Sequence, residues 1–518
     1  MTPPPLTPSD PVVPTADGDV RGFWRTPDEG ARSAAFLGIP FAAAPVGPLR
    51  FAAPQRPEPW EGIRDALVHG PTAKRDDSGP TLIPEPAIPG DETLTVDVFT
   101  PVPGDREARL PVLVWIHGGG FTEGSPASPW YDGAAFTRDG VVTVTVGYRL
   151  GFDGFGVIPG APDNRGVLDW LAALRWVRDN IAAFGGDPAR VTVAGQSAGG
   201  GAVLTLLGMS GPGGAAEGLF HGAFSVSGAL ADIPRERAEA IARRMAELAG
   251  VACTRDGFAS VPEEALTSLQ DKAPAAEGAS PAAAMLDMLT AGLPWGPVVD
   301  GALLARPTLD SLRAGAGADV PLLLGAADDE FTMALDAMRG KLRFVPASLA
   351  LGKMGLTGPR RRAYLAGNRA QRRRGTAAVV GRYVTDTVFR STVVQVAEAR
   401  AAGARPLAGP GSAEPAPTWV YEFSWVSPTM HWACHCLDVP FWFDCLGESH
   451  VPALAGDRPP QALADVMHAA AARFLDEGDP GWVPWSAAAG ATAVFGGPEA
   501  PEGRALRADG YAEVRALV

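Results

Sequence analysis

Four short runs along the chain are apolar at nearly every position: PVLVWI (111–116), VVTVTV (141–146), RVTVAG (190–195) and VPLLLG (320–325). Uninterrupted apolar runs of this length, rich in β-branched residues or leucine, suit strands covered on both faces rather than strands with a wet side. They are read as central parallel strands. Between them the period changes: in NRGVLDWLAALRWVRDNIAAFGG (164–186), Val167, Leu171, Leu174, Val177 and Ile181 recur at helical spacing, and Gly185 and Gly186 supply the stop. Strand alternating with helix predicts a doubly wound α/β sheet with helices on both faces, whose ligands sit beyond the carboxyl ends of the strands. A later apolar stretch, TWVYEFSW (418–425), reads as a further strand, and the Pro-, Gly- and Ala-rich segment 407–417 before it as a surface loop.

Composition narrows the function classes. The chain has 518 residues, 44 basic against 58 acidic, for a net charge of −14. Such a balance repels phosphate backbones and anionic lipid, so neither nucleic acid nor a membrane surface is an expected partner. The arginine runs Arg360–Arg362 and Arg372–Arg374 are read as solvated helix faces. No apolar run approaches the roughly 20 residues that cross a bilayer. The N-terminal stretch MTPPPLTPSDPVVPT has neither the basic start nor the continuous apolar segment of a secretory signal. Of the four cysteines, Cys253 stands alone while Cys434, Cys436 and Cys445 cluster, a distribution suited to thiols in a reducing compartment. The expected location is the cytoplasm.

The candidate chemistry begins at VTVAGQSAGG (191–200), where an alternating apolar run stops at one serine among small residues. A serine hydroxyl is a poor nucleophile at neutral pH, so it needs an exposed Oγ, a base to take its proton and donors for the oxyanion that results. Gly195-Gln196-Ser197-Ala198-Gly199 fits the G-x-S-x-G nucleophile elbow, in which a strand turns sharply into a helix and small neighbours let the backbone crowd together. The context fits as well, with VTVAG before the serine and AVLTLLGM after it. Upstream, PVLVWI runs into His117-Gly118-Gly119-Gly120-Phe121, a loop of the HGGG type whose unobstructed amides suit an oxyanion.

With these motifs the chain resembles the type B carboxylesterases, a family that includes the cholinesterases and the bacterial para-nitrobenzyl esterase-like enzymes. The likeness starts at GDVRGF (18–23). It continues through FLGIPFAAAPVGPLRF (36–51), GYRLGFDGF (147–155), NIAAFGGDPARVTVAGQSAGG (180–200) and PVVDG (297–301), and reaches ARFLDEGDPGWVPW (472–485). The resemblance implies an α/β-hydrolase fold, one domain over residues 1–518 with helical insertions, and a serine esterase that needs no metal or organic cofactor. It also implies an acid and a histidine downstream, in that order. Glu330 takes the acid position in Ala326-Ala327-Asp328-Asp329-Glu330-Phe331, where Phe331 replaces the usual glycine and Asp329 or Asp328 is the alternative. His435 takes the base position in Ala433-Cys434-His435-Cys436-Leu437-Asp438-Val439-Pro440-Phe441, with Asp438 where the family has glutamate and His431 as the nearest rival. The oxyanion donors carried over are the amides of Gly119, Gly120 and Ala198. Ser227, in Ser225-Val226-Ser227-Gly228, matches a serine that supports the acid.

Other readings are weighed against this one. His431, Cys434, His435, Cys436 and Cys445 invite a metal site, but three consecutive residues cannot easily point at one ion and no C-x-x-C pair is present. The two thiols flanking His435 instead predict inhibition by bulky thiol reagents. Choline esters are poor candidates, because residues 61–98 contain no Phe, Trp or Tyr to form a cation–π platform. The cysteines that close this loop in secreted relatives correspond to Ala73 and Thr93. Some relatives of the fold are adhesion proteins without a nucleophile; Ser197, Glu330, His435 and the glycine loop together disfavour that alternative. The same machinery on an amide, carbamate, thioester or lactone is the other alternative. The expected partner is a small ester, acted on by a monomer or small homo-oligomer.

Overall fold

Eleven strands form one sheet in the computed structural model, which describes residues 7, 9–25, 32–76, 79, 81–274, 287, 289, 291–336, 338–404, 415–485 and 490–518. In chain order they are β1 (Phe23–Arg25), β2 (Ser33–Pro40), β3 (Thr95–Thr100), β4 (Leu110–Ile116), β5 (Val142–Val146), β6 (Gly186–Gln196), β7 (Gly222–Val226), β8 (Leu322–Ala327), β9 (Thr418–Phe423), β10 (Thr492–Phe495) and β11 (Arg504–Arg507). Across the sheet the order is β11-β10-β9-β8-β7-β6-β4-β5-β3-β2-β1. Every pairing from β10 through to β5 is parallel. At each rim the direction reverses: β3, β2 and β1 pair antiparallel, as does β11 on β10.

The four apolar runs lie in β4, β5, β6 and β8, and the pleat explains why they carry no polar alternation. Val112, Val114 and Ile116 of β4 enter one buried cluster with Val167, Trp170 and Leu171, whereas Leu113 and Trp115 enter another with Met467 and Phe474. Successive side chains point to opposite faces. Both faces are therefore dry, and α1 (Arg165–Asn180) covers one while α6 (Gln461–Glu477) covers the other. The expected helix after Asn164 is α1; it tightens into a 3₁₀ turn at Ile181–Phe184 and ends on Gly185 at φ 86°. β6 begins at Gly186, earlier than the apolar run, because Gly186 already pairs with Leu110 before a register shift.

α2 (Ala198–Gly208) is buried from Ala198 to Leu207, apolar on all sides as a helix enclosed by the core must be. Beyond β7 comes α3 (Arg235–Ala249). Beyond β8, α4 (Thr376–Thr385) passes through a π-turn at Asp386–Arg390 into α5 (Ser391–Ala404). Arg360 and Arg362, and Arg372–Arg374, are exposed on the short helices Gly358–Gly367 and Arg369–Arg374, as the solvated reading expects. Of the expected loop 407–417, residues 407–414 lie outside the described residues. No helix among the described residues is long and apolar enough to cross a membrane.

Candidate active site

Ser197 stands between the last residue of β6 and the first of α2, at φ 58° and ψ −121°. That backbone region is sparsely populated and costs on the order of 1–3 kcal/mol, which the packed strand and helix on either side offset. Glycine is needed around it. A Cβ on Gly195 would lie 2.6 Å from the carbonyl carbon of Gly199, and one on Gly199 only 2.0 Å from the Ile116 carbonyl oxygen. The Ser197 amide donates to the Val226 carbonyl at 2.9 Å, which ties the turn to the end of β7. The side chain is half-buried and faces the carboxyl ends of the strands.

The loops after β8 and β9 bring the other two side chains to it. His435 Nε2 lies 2.9 Å from Ser197 Oγ, and His435 Nδ1 lies 2.5 Å from Glu330 Oε2. Glu330 is wholly buried, and its Oε1 accepts from the Ala327 amide at 2.8 Å. The two loops are also laced by their backbones: the His435 amide donates to the Glu330 carbonyl at 2.8 Å and the Asp329 amide to the Ala433 carbonyl at 2.9 Å. The alternatives are turned elsewhere. Asp328 pairs with Arg390 at 2.7 Å, Asp329 accepts from the Thr332 hydroxyl at 3.2 Å, and His431 is exposed.

Burial opposes charge on His435, yet Cys436 and Glu330 beside it raise its pKa well above the ordinary value. Burial pushes the Cys436 thiol up as well, so it carries no charge at neutral pH and Glu330 is the group responsible. His117 behaves oppositely. Fully buried, it is pushed down to about 4 and is neutral; its Nδ1 lies 2.8 Å from the Gly118 carbonyl, and its ring stacks on Tyr148 at 4.5 Å.

His117 leads into the glycine loop. Gly119 and Gly120 have φ of 103° and 60°, and a Cβ on Gly119 would meet the Glu123 carbonyl oxygen at 2.2 Å. Neither amide donates to an acceptor among the described residues, while the Gly119 carbonyl takes the Thr122 and Glu123 amides at 3.0 and 2.8 Å. The Ala198 amide belongs to the first turn of α2, where donors have no partner within the helix. A loop folded back on its carbonyl thus leaves its amides free for a developing negative charge.

Ser227, expected to support the acid, makes no hydrogen bond to it, and its buried Oγ has no partner among the described residues; the Glu330 oxygens meet His435 and the Ala327 amide. Asp438, buried, accepts from the Tyr421 hydroxyl at 3.1 Å and Trp442 Nε1 at 3.3 Å, and burial together with Glu330 pushes it up to about 7. Gln196, whose amide reaches both His435 Nε2 and Cys436 Sγ at 3.2 Å, was visible in the sequence only as the variable position of the elbow. Phe389, 5.0 Å from the His435 ring, carries no local signal at all. The four cysteines are all thiols.

Residues 9–493 match the model of the carboxylesterase family. The chain is 33% identical over 447 residues to the para-nitrobenzyl esterase of Bacillus subtilis (strain 168), covering 83% of this chain and 82% of that protein. It is 32% identical over 429 residues to a fumonisin B1 esterase of Sphingopyxis macrogoltabida, covering 80% and 73% respectively. Among solved structures, a carboxylesterase of Geobacillus stearothermophilus superposes with a TM-score of 0.78 at 32% identity, over 98% of this chain and 99% of that one. A PNB esterase gives 0.78 at 29% identity, over 98% and 100%. The mostly parallel sheet flanked by helices is the α/β-hydrolase fold, and the chain belongs to the carboxylesterase family of carboxylic ester hydrolases.

Proposed function

We propose that the chain hydrolyses small carboxylic esters through an acyl-enzyme on Ser197. His435 Nε2 takes the hydroxyl proton as Oγ attacks the carbonyl, and the carbonyl electrons move onto an oxyanion held by the amides of Gly119, Gly120 and Ala198. Collapse of that intermediate expels the alcohol, which leaves with the proton from His435. Water then repeats the attack on the acyl carbon with His435 again as base, releasing the acid and restoring Ser197. Glu330 holds the ring in the tautomer that leaves Nε2 free to accept and stabilises the imidazolium. The observation that carries this reading is the unbroken relay from Glu330 Oε2 through His435 to Ser197 Oγ, at 2.5 and 2.9 Å.

No metal or organic cofactor takes part in these steps. The same reading places the enzyme in the cytoplasm as a monomer or small homo-oligomer; four free thiols support the compartment, and fractionation with size-exclusion chromatography tests both. The function itself is tested by Ser197→Ala. The variant is expected to fold and to lose several orders of magnitude in turnover on p-nitrophenyl esters, and an organophosphate is expected to add once, at Ser197, in the wild type alone. Turnover near wild type in Ser197→Ala, or an adduct on another residue, removes the assignment.

A further inference from the structure

The position after Glu330 holds a phenylalanine, and its ring has come to rest on His435. Phe331 and His435 are stacked, with centroids 4.8 Å apart and planes inclined by 28°. Phe389, from the π-turn, lies 5.0 Å from the same imidazole at 44° and 5.6 Å from Phe331, so the three rings pack mutually. Both phenyl rings are within the roughly 6 Å at which an aromatic face attracts a cation. The Phe331 amide donates to Thr385 Oγ1 at 3.3 Å, and Phe389 is buried, which fixes the rings from two separate elements.

We propose that Phe331, with Phe389 behind it, is a positioning residue that acts through His435. It holds the imidazole between Glu330 and Ser197 and stabilises the imidazolium that forms when Nε2 takes the Ser197 proton. The inference rests on His435 being the base of the ester reaction. A neutral imidazole gains little from the aromatic face, and the charged one gains more, so the contact strengthens as the transition state forms. The ring also closes one face of the imidazole to water.

The charged and titratable surroundings do not duplicate this role. Glu330 acts at Nδ1 in the ring plane, and Gln196 and Cys436 lie at the Nε2 side. Asp438 is turned to Tyr421 and Trp442. On the π-turn that supplies Phe389, Asp386 and Arg390 pair with each other at 2.9 Å, and Arg390 also pairs with Asp328 of the acid loop at 2.7 Å. None of these groups lies in the stack.

The two effects an aromatic neighbour can have on a histidine differ in sign, and that separates them. If the π-face stabilises the imidazolium, removing it lowers the pKa of the base and moves the acidic limb of the kcat/KM profile to lower pH. If the ring acts only by excluding water, removing it raises that pKa. Phe331→Leu keeps an apolar side chain in place while deleting the π-face. The acidic limb of Phe331→Leu is expected to fall by about 0.5–1 pH unit, a three- to tenfold change in the ionisation constant. The plateau kcat should drop about three- to tenfold with KM little changed. Phe331→Tyr, which restores the face, should return both to wild type. Phe389→Leu should move the limb the same way and serves if Phe331→Leu does not fold. A limb that stays put or moves up in a folded variant, or a Tyr variant that behaves like Leu, overturns the proposal. Organophosphate labelling keeps the two readings apart: failure to label Ser197 in the wild type removes the ester mechanism, whereas normal labelling with an unmoved limb removes only the aromatic role.

Discussion

Replacing Glu330 by glutamine keeps the shape of the side chain and deletes its charge, and the surroundings decide how the amide must sit. The Ala327 amide points its hydrogen at Oε1 from 2.8 Å. Only the carbonyl oxygen of the new amide can accept there, because the flipped orientation would set one N–H against another. The amide nitrogen is thereby placed at the site of Oε2, 2.5 Å from His435 Nδ1 in the wild type, where it must donate. His435 is then driven into the tautomer that carries its hydrogen on Nε2, and it can no longer accept from Ser197. In the serine triad used as the general template, the equivalent acid-to-amide change lowers kcat by about 10⁴, or about 5.5 kcal/mol in barrier. The same loss is expected for Glu330→Gln, since Glu330 is wholly buried and no water can take over its charge. A second signature follows from ionisation. Glu330 holds the His435 pKa up, so in the variant the acidic limb of kcat/KM must move to lower pH while the plateau collapses. The assay is hydrolysis of a p-nitrophenyl ester from about pH 5 to about pH 9, with circular dichroism to verify folding and the rate of organophosphate labelling followed in parallel. A folded Gln variant within tenfold of wild type, or one that loses activity with its limb unmoved, would refute the reasoning.

Gly119→Ala places a methyl group 2.2 Å from the Glu123 carbonyl oxygen at a φ of 103°, so the loop must shift and carry its free amides with it. The expected result is a 10²- to 10³-fold fall in kcat with KM changed much less; steady-state kinetics showing near-wild-type kcat would count against the oxyanion assignment. Asp438, pushed up to about 7, is an acid whose folded state binds a proton more tightly than the unfolded chain, so it subtracts stability as pH rises from about 4 through about 7. Asp438→Asn should remove that decline, and urea melts at about pH 5 and about pH 8 should show the variant gaining on wild type at the higher pH; a constant gap would show that Asp438 titrates as an ordinary carboxylate.

What the sequence made legible follows from which forces are local. β4, β5, β6 and β8 could be read because strands dry on both faces need a continuous apolar run, whatever their partners. β1 and β11 could not, because Phe23–Arg25 and Arg504–Arg507 are short rim strands defined by the neighbour they pair with rather than by their own pattern. Ser197 and the glycine loop were legible because a tight turn demands small residues in adjacent positions. Glu330 and His435 followed from resemblance to a family, since nothing local marks a carboxylate or an imidazole that is to meet a partner 105 or 238 residues away. Phe389 was out of reach for a further reason. It projects from a π-turn, and the extra residue in that turn sets its direction by a backbone irregularity without a composition of its own. The support expected of Ser227 is not made: its Oγ, buried just past β7, has no hydrogen-bond partner among the described residues.

The reversed strand at the C-terminal rim has a consequence for the life of the molecule outside its chemistry. β10 is Thr492–Phe495, buried throughout, and its outer amides and carbonyls are capped by Arg504–Arg507, of which Arg504 is exposed while Arg507 is half-buried and lies 3.5 Å from Glu422. Proteolysis in the connection between them would strip that seal and leave a sticky apolar border able to recruit the same border of another copy. Loss of residues 504–518 would then end the enzyme as a precipitate rather than as a weaker catalyst.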